Sequence, residues 1–84
     1  MMNIREILAA NLKKHRQDRG WSQAKLAEKT GTSTQYIGMI EINLKFPSSD
    51  MINRLAEALK IVPSELFKNE IDKETLEKVL VEAL

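Results

Sequence analysis

The chain has 84 residues, a formal net charge of +1, 43% apolar and 30% charged residues, and no cysteine. That length supports one domain with a small core, and the missing thiols exclude disulfides and thiolate metal sites. Arg5 and Glu6 interrupt the apolar opening, unlike a signal peptide, and no stretch reaches the roughly 20 apolar residues of a membrane span, so a soluble, cytoplasmic protein is expected.

Ile4, Ile7, Leu8 and Leu12 recur at helical spacing, predicting a first helix from Asn3 as cap to Arg19, with Gly20 as its stop. Ser22 caps a second helix, Gln23 to Thr30, and Trp21 before it can staple onto Leu26. Gly31 marks a corner, after which Ser33 caps a third helix, Thr34 to Glu41. A loop follows from Ile42 to Pro47. Ser48 or Ser49 opens a fourth helix, whose apolar stripe is Ile52, Leu55, Ala56 and Leu59, and Lys60 ends it. Pro63 suits the first turn of a short fifth helix through Phe67. From Asp72 the tail reads as an amphipathic helix, with Leu76, Val79, Leu80 and Ala83 along one side. No strand pattern appears, so the fold class is all-α.

The second and third helices have the spacing of a helix-turn-helix over residues 23–41. Ala27 leaves room where the two backbones approach, Gly31 tolerates positive φ at the corner, and Leu26, Ile37 and Ile40 lock the pair. The remaining face of the third helix holds Ser33, Thr34, Gln35, Gly38 and Met39, with no carboxylate. Such a ridge suits an anionic, hydrogen-bonding surface, and double-helical DNA is one. Charge is also uneven: up to Thr30 there are seven basic residues against three acidic ones, and after Phe67 three against five. This asymmetry would orient the molecule on phosphates, although two ordinary solvated faces would look the same.

From Leu12 to Phe67 the chain resembles the lambda-repressor and Cro-like helix-turn-helix family, the XRE-type regulators. The matches are Leu12, Arg16, Gly20, Ser22, Gln23, Leu26, Ala27, Gly31, Ser33, Ile37, Ile40, Glu41, Pro47, Leu55, Ala56, Leu59 and the Ser64 to Phe67 ending. The resemblance implies a five-helix DNA-binding domain over residues 1–68. Residues 69–84 are expected as a C-terminal helix whose Leu76, Val79, Leu80 and Leu84 could dock across a two-fold axis, close back on the fifth helix or bind a foreign subunit; dimerisation is favoured because a single motif reads only about half a turn of DNA. It further implies a transcriptional regulator that binds a palindromic operator as a homodimer, with its third helix in the major groove, and the small size suggests control by concentration and occupancy, as in phage-type repressors and the controller proteins of restriction systems.

Carried onto individual residues, the resemblance implies that Gln23 gives its side-chain amide and backbone N–H to a phosphate. Ser33, Thr34 and Gln35 face base edges or flanking phosphates, and Gln35 is the foremost candidate for base reading, since glutamine can pair with adenine N6 and N7. Met39 either touches thymine methyls or fills the core. Tyr36 either places its hydroxyl on a phosphate or packs its ring against the second helix. Asn43 and Lys45 clamp the backbone. Gly38 puts no side chain where the family often has a polar reader, and Ile42 is apolar where polar residues are common. Arg16 and Glu41 are implied as a buried ion pair joining the first and third helices, hence structural.

An enzyme is not expected. His15 is the only histidine, and neither a nucleophile with its base nor a glycine-rich phosphate loop accompanies it. No metal or cofactor is expected. The alternative from another class is a protein-binding module of the same fold, such as an antitoxin, whose main partner is a protein.

Overall fold

The computed structural model describes residues 3–69. They form four α-helices, α1 (Ile4–Asp18), α2 (Gln23–Thr30), α3 (Thr34–Glu41) and α4 (Ser49–Leu59), followed by a 3-10 turn, Pro63–Phe67. No strand occurs among the described residues. Each α-helix starts at a polar cap three residues before the N–H it serves: the Glu6 N–H donates to Asn3 Oδ1 at 3.0 Å, Lys25 to Ser22 Oγ at 3.0 Å, Tyr36 to Ser33 Oγ at 3.0 Å and Met51 to Ser48 Oγ at 3.2 Å. Ser48, rather than Ser49, is therefore the cap of α4.

Two elements differ from the sequence expectation. α1 ends at Asp18, because the Arg19 and Gly20 N–H groups turn back to the carbonyls of Arg16 and Gln17 while Gly20 takes a φ of +68°. The expected fifth helix is only a 3-10 turn: five residues without a side-chain cap close on an i to i+3 bond from Glu65 to Val62, too short a run for an α ladder. The C-terminal helix expected from Asp72, with Leu76, Val79, Leu80 and Leu84, lies outside the described residues.

The core gathers one stripe from each helix: Leu8 and Leu12 from α1, Leu26 and Ala27 from α2, Ile37 and Ile40 from α3, Leu55, Ala56 and Leu59 from α4, closed by Leu66. α2 packs against both α3 and α4, and α1 against α3 and the 3-10 turn, so the central α2 is held on two sides. At the corner Gly31 takes φ +69°, and its own N–H and that of Thr32 both donate to the Ala27 carbonyl, turning the chain directly into α3. Asn11, buried on α1, donates to the carbonyls of Leu66 and Lys68 at 3.0 and 2.7 Å and so ties the chain beyond α4 to α1. A hydrophobic stripe alone would leave that join free to slide.

Candidate nucleic-acid interface

The N-termini of α2 and α3 each leave backbone donors unused. Ser22 Oγ takes the Lys25 N–H and the Ser22 carbonyl takes that of Leu26, so Gln23 and Ala24 keep free N–H groups at the positive end of α2. α3 repeats the pattern: Ser33 serves Tyr36 and Ile37, leaving Thr34 and Gln35. A phosphate oxygen is the sort of acceptor these four groups fit.

Burial divides α3 sharply. Ile37 and Ile40 are fully buried, whereas Ser33, Thr34 and Gln35 are exposed on its opening turn. Met39 is half-buried yet is not one of the side chains packed on the core. Tyr36 is half-buried with its ring against the core, and the Lys45 ammonium stands 5.6 Å over that ring. The loop after α3 folds back on its last turn. Asn43 takes a left-handed φ of 63°, its N–H donates to the Ile40 carbonyl, and the Leu44 and Lys45 N–H groups both reach the Met39 carbonyl. Lys45 is thereby held beside α3, exposed, while Asn43 serves as the conformational pivot. The same loop presents three exposed apolar side chains, Ile42, Leu44 and Phe46.

Gly38 belongs to the seam between α2 and α3. A Cβ built there would meet Gln23 Oε1 at 3.5 Å, ordinary contact, so a side chain at this position starts out toward α2. Beneath the seam lies an ion pair. Arg16 donates from Nε to Glu41 Oε2 at 2.6 Å and from Nη2 to Oε1 at 2.9 Å, and its Nη1 donates to the Trp21 carbonyl at 2.6 Å. The Glu41 side chain is only 2% exposed. Its hydrogen bonds push the Arg16 guanidinium above its ordinary range, against the opposing effect of burial. Gln23 joins this group by donating from Nε2 to Glu41 Oε1 at 3.2 Å.

Sequence reasoning passed over the cations around Trp21. Arg19 and Lys29 stand 5.4 and 5.8 Å over the half-buried indole. Lys29 also lines an open cleft between α2 and α4 of about 450 Å³, together with Arg54 and Lys60. A basic residue two positions from the tryptophan was the available signal for the first contact, the second joins residues eight positions apart in the chain, and only the cleft needs the fold to bring α2 and α4 together. Among the described residues no group of His, Cys, Asp or Glu could hold a metal ion, and no helix is long and apolar enough to cross a membrane.

Comparison with known proteins gives a family model, described as a helix-turn-helix domain, that matches residues 9–70. The chain is 39% identical over 61 residues to the HTH-type transcriptional regulator SutR of Escherichia coli K12, covering 73% of this chain and 34% of that protein. It spans about a third of the length of the curated relatives it matches. Among solved structures it resembles the hypothetical transcription factor NHTF from Neisseria, with 27% identity and a TM-score of 0.80 over 88% of this chain and 85% of that one. The restriction-modification controller protein C.AhdI from Aeromonas hydrophila is 35% identical, with a TM-score of 0.73 over 75% of this chain and 96% of its own.

Proposed function

The chain belongs to the lambda-repressor/Cro-like helix-turn-helix family, and from that membership we propose that it is a transcriptional regulator that binds duplex DNA sequence-specifically as a homodimer, with α3 in the major groove. Residues 1–68 are the DNA-binding domain in this reading, and residues 69–84 dimerise through Leu76, Val79, Leu80 and Leu84. The observation that carries it is the paired set of free backbone donors at the starts of α2 and α3, flanking an exposed polar turn without carboxylates. Gln35 reads a base edge, with Thr34 and Ser33 on bases or flanking phosphates. Gly38 allows the backbone close to the groove, Met39 offers an apolar contact to thymine methyls, and Tyr36 lends its hydroxyl to the backbone. Gln23 holds a phosphate at the start of α2, and Lys45, placed by Asn43, holds another. The polypeptide acts by binding and occupancy.

A single motif reads about half a turn of DNA, and two copies about 34 Å apart supply the rest of the specificity. Selection of bound duplexes from a random pool tests the proposal. A symmetric recovered motif, bound with an affinity that falls steeply as salt rises, is the expected result. Recovery of no motif would reject sequence-specific recognition.

A second reading, a module whose main partner is a protein, draws on the loop after α3, where Ile42 is 65% and Leu44 67% exposed. Apolar side chains exposed this close together would suit a protein contact if they form one patch. Co-purification of a second protein at fixed stoichiometry would favour it over the DNA-binding reading.

A further inference from the structure

We propose that Glu41 is a positioning residue that orients the Gln23 amide for a DNA phosphate, in addition to neutralising Arg16; the inference rests on the phosphate role proposed above for Gln23. Glu41 closes α3, Arg16 lies near the end of α1 and Gln23 starts α2, so one buried carboxylate joins three helices. Its Oε1 is shared, accepting from Arg16 Nη2 at 2.9 Å and from Gln23 Nε2 at 3.2 Å.

That sharing fixes which end of the amide points inward. Turned over, Gln23 would set its own oxygen against a carboxylate oxygen, two acceptors with no proton between them. The observed orientation spends one N–H of Nε2 on Glu41 and keeps the second for an external acceptor. The amide oxygen lies beside Gly38, 3.5 Å from where a Cβ would stand, ordinary contact distance. Arg16 adds a second restraint on the same region by holding the Trp21 carbonyl, two residues before Gln23. The free backbone donors of Gln23 and Ala24 stand at the same helix end. A side-chain donor ordered before DNA arrives gives up less rotamer freedom on binding than one swinging in water. The buried ion pair thus sets the readiness of a surface contact.

Replacing Glu41 alone would strand the Arg16 charge, so the test exchanges both partners. The R16M/E41M variant substitutes apolar side chains of similar length for the pair, an exchange that is often close to neutral for stability, and removes the acceptor for Gln23. Affinity is measured for a duplex carrying the selected operator and for a scrambled duplex. In the native background Gln23→Ala should weaken binding to both about tenfold, as expected for a lost hydrogen bond to a charged group. In R16M/E41M the same substitution should cost less than about twofold, because the amide is no longer held in place. An equal loss in both backgrounds would overturn the positioning role while leaving the phosphate contact intact. No loss in the native background would overturn both. If R16M/E41M does not fold, the native protein decides by NMR. A nuclear Overhauser contact between the Gln23 Hε2 and Glu41 Hγ protons that persists in the DNA complex supports the inference, and its absence there refutes it.

Discussion

Gln35 stands exposed on the first turn of α3 with no side-chain hydrogen bond among the described residues, so its truncation separates the proposed recognition from folding. Gln35→Ala should weaken operator binding by about 1 to 3 kcal/mol, with a change in stability within about 0.5 kcal/mol. Titration of operator and scrambled duplexes, paired with urea unfolding, checks both halves, and an unchanged operator affinity would remove Gln35 from the reading surface. Glu41 is the opposite case. Its carboxylate is buried and bonded to Arg16, so Glu41→Ala leaves a guanidinium without its partner and should cost about 3 to 5 kcal/mol in urea unfolding. Both residues could be picked out in the sequence, Gln35 from its place on the outer face of a helical pattern and Glu41 through the family resemblance. The Gln23 to Glu41 hydrogen bond was not legible, because the two residues are 18 positions apart and no periodicity relates them.

Within α3, Gly38 is the weak point of an eight-residue helix. Its φ is not positive and an added Cβ meets only the flexible Gln23 side chain at 3.5 Å, so alanine fits. Gly38→Ala should therefore stabilise the protein by about 1 kcal/mol, seen as a rise in melting temperature of roughly 4 to 8 °C for a domain of this size. A drop in DNA affinity alongside that rise, if it persisted in a Gln23→Ala background, would place the backbone at Gly38 close to the groove rather than acting through Gln23. The loop behind α3 is the second element on which the proposed reading draws. It owes its shape to a left-handed Asn43 and to two N–H groups converging on Met39, and it carries Lys45 to the edge of α3. Lys45→Ala should lower affinity alike on all sequences and reduce the salt slope by about 1, and a loss confined to the operator would contradict a phosphate contact. Helix starts were readable from Asn3, Ser22 and Ser33, because a capping oxygen acts within three residues. The 3-10 character of Pro63–Phe67 was not, since it depends on how tightly the chain must turn to bring Leu66 onto the core.

At the scale of the molecule, ten buried side chains of the described residues form a single cluster, and domains of this size class have little core to spare. Homodimerisation, as proposed, would add stability by mass action, and the melting temperature should then rise with protein concentration. Calorimetry across a hundredfold dilution series tests this, and a concentration-independent transition with a monomer mass by sedimentation would count against the dimer. The excess of basic residues up to Thr30 and of acidic ones after Phe67 gives the whole chain a polarity that its net charge of +1 conceals.

The amino-acid sequence by itself determined the all-α class, the helix-turn-helix at residues 23–41, its buried apolar stripe and its polar outer turn. These follow from contacts between residues three and four apart and from caps that act locally. Only the tertiary structure decided that Gly38 faces Gln23, that Gln23 shares the Glu41 carboxylate with Arg16, and that Lys45 rests over Tyr36. Each of those depends on how separate elements cross, and a crossing is fixed by the packing of the whole core rather than by any run of neighbouring residues.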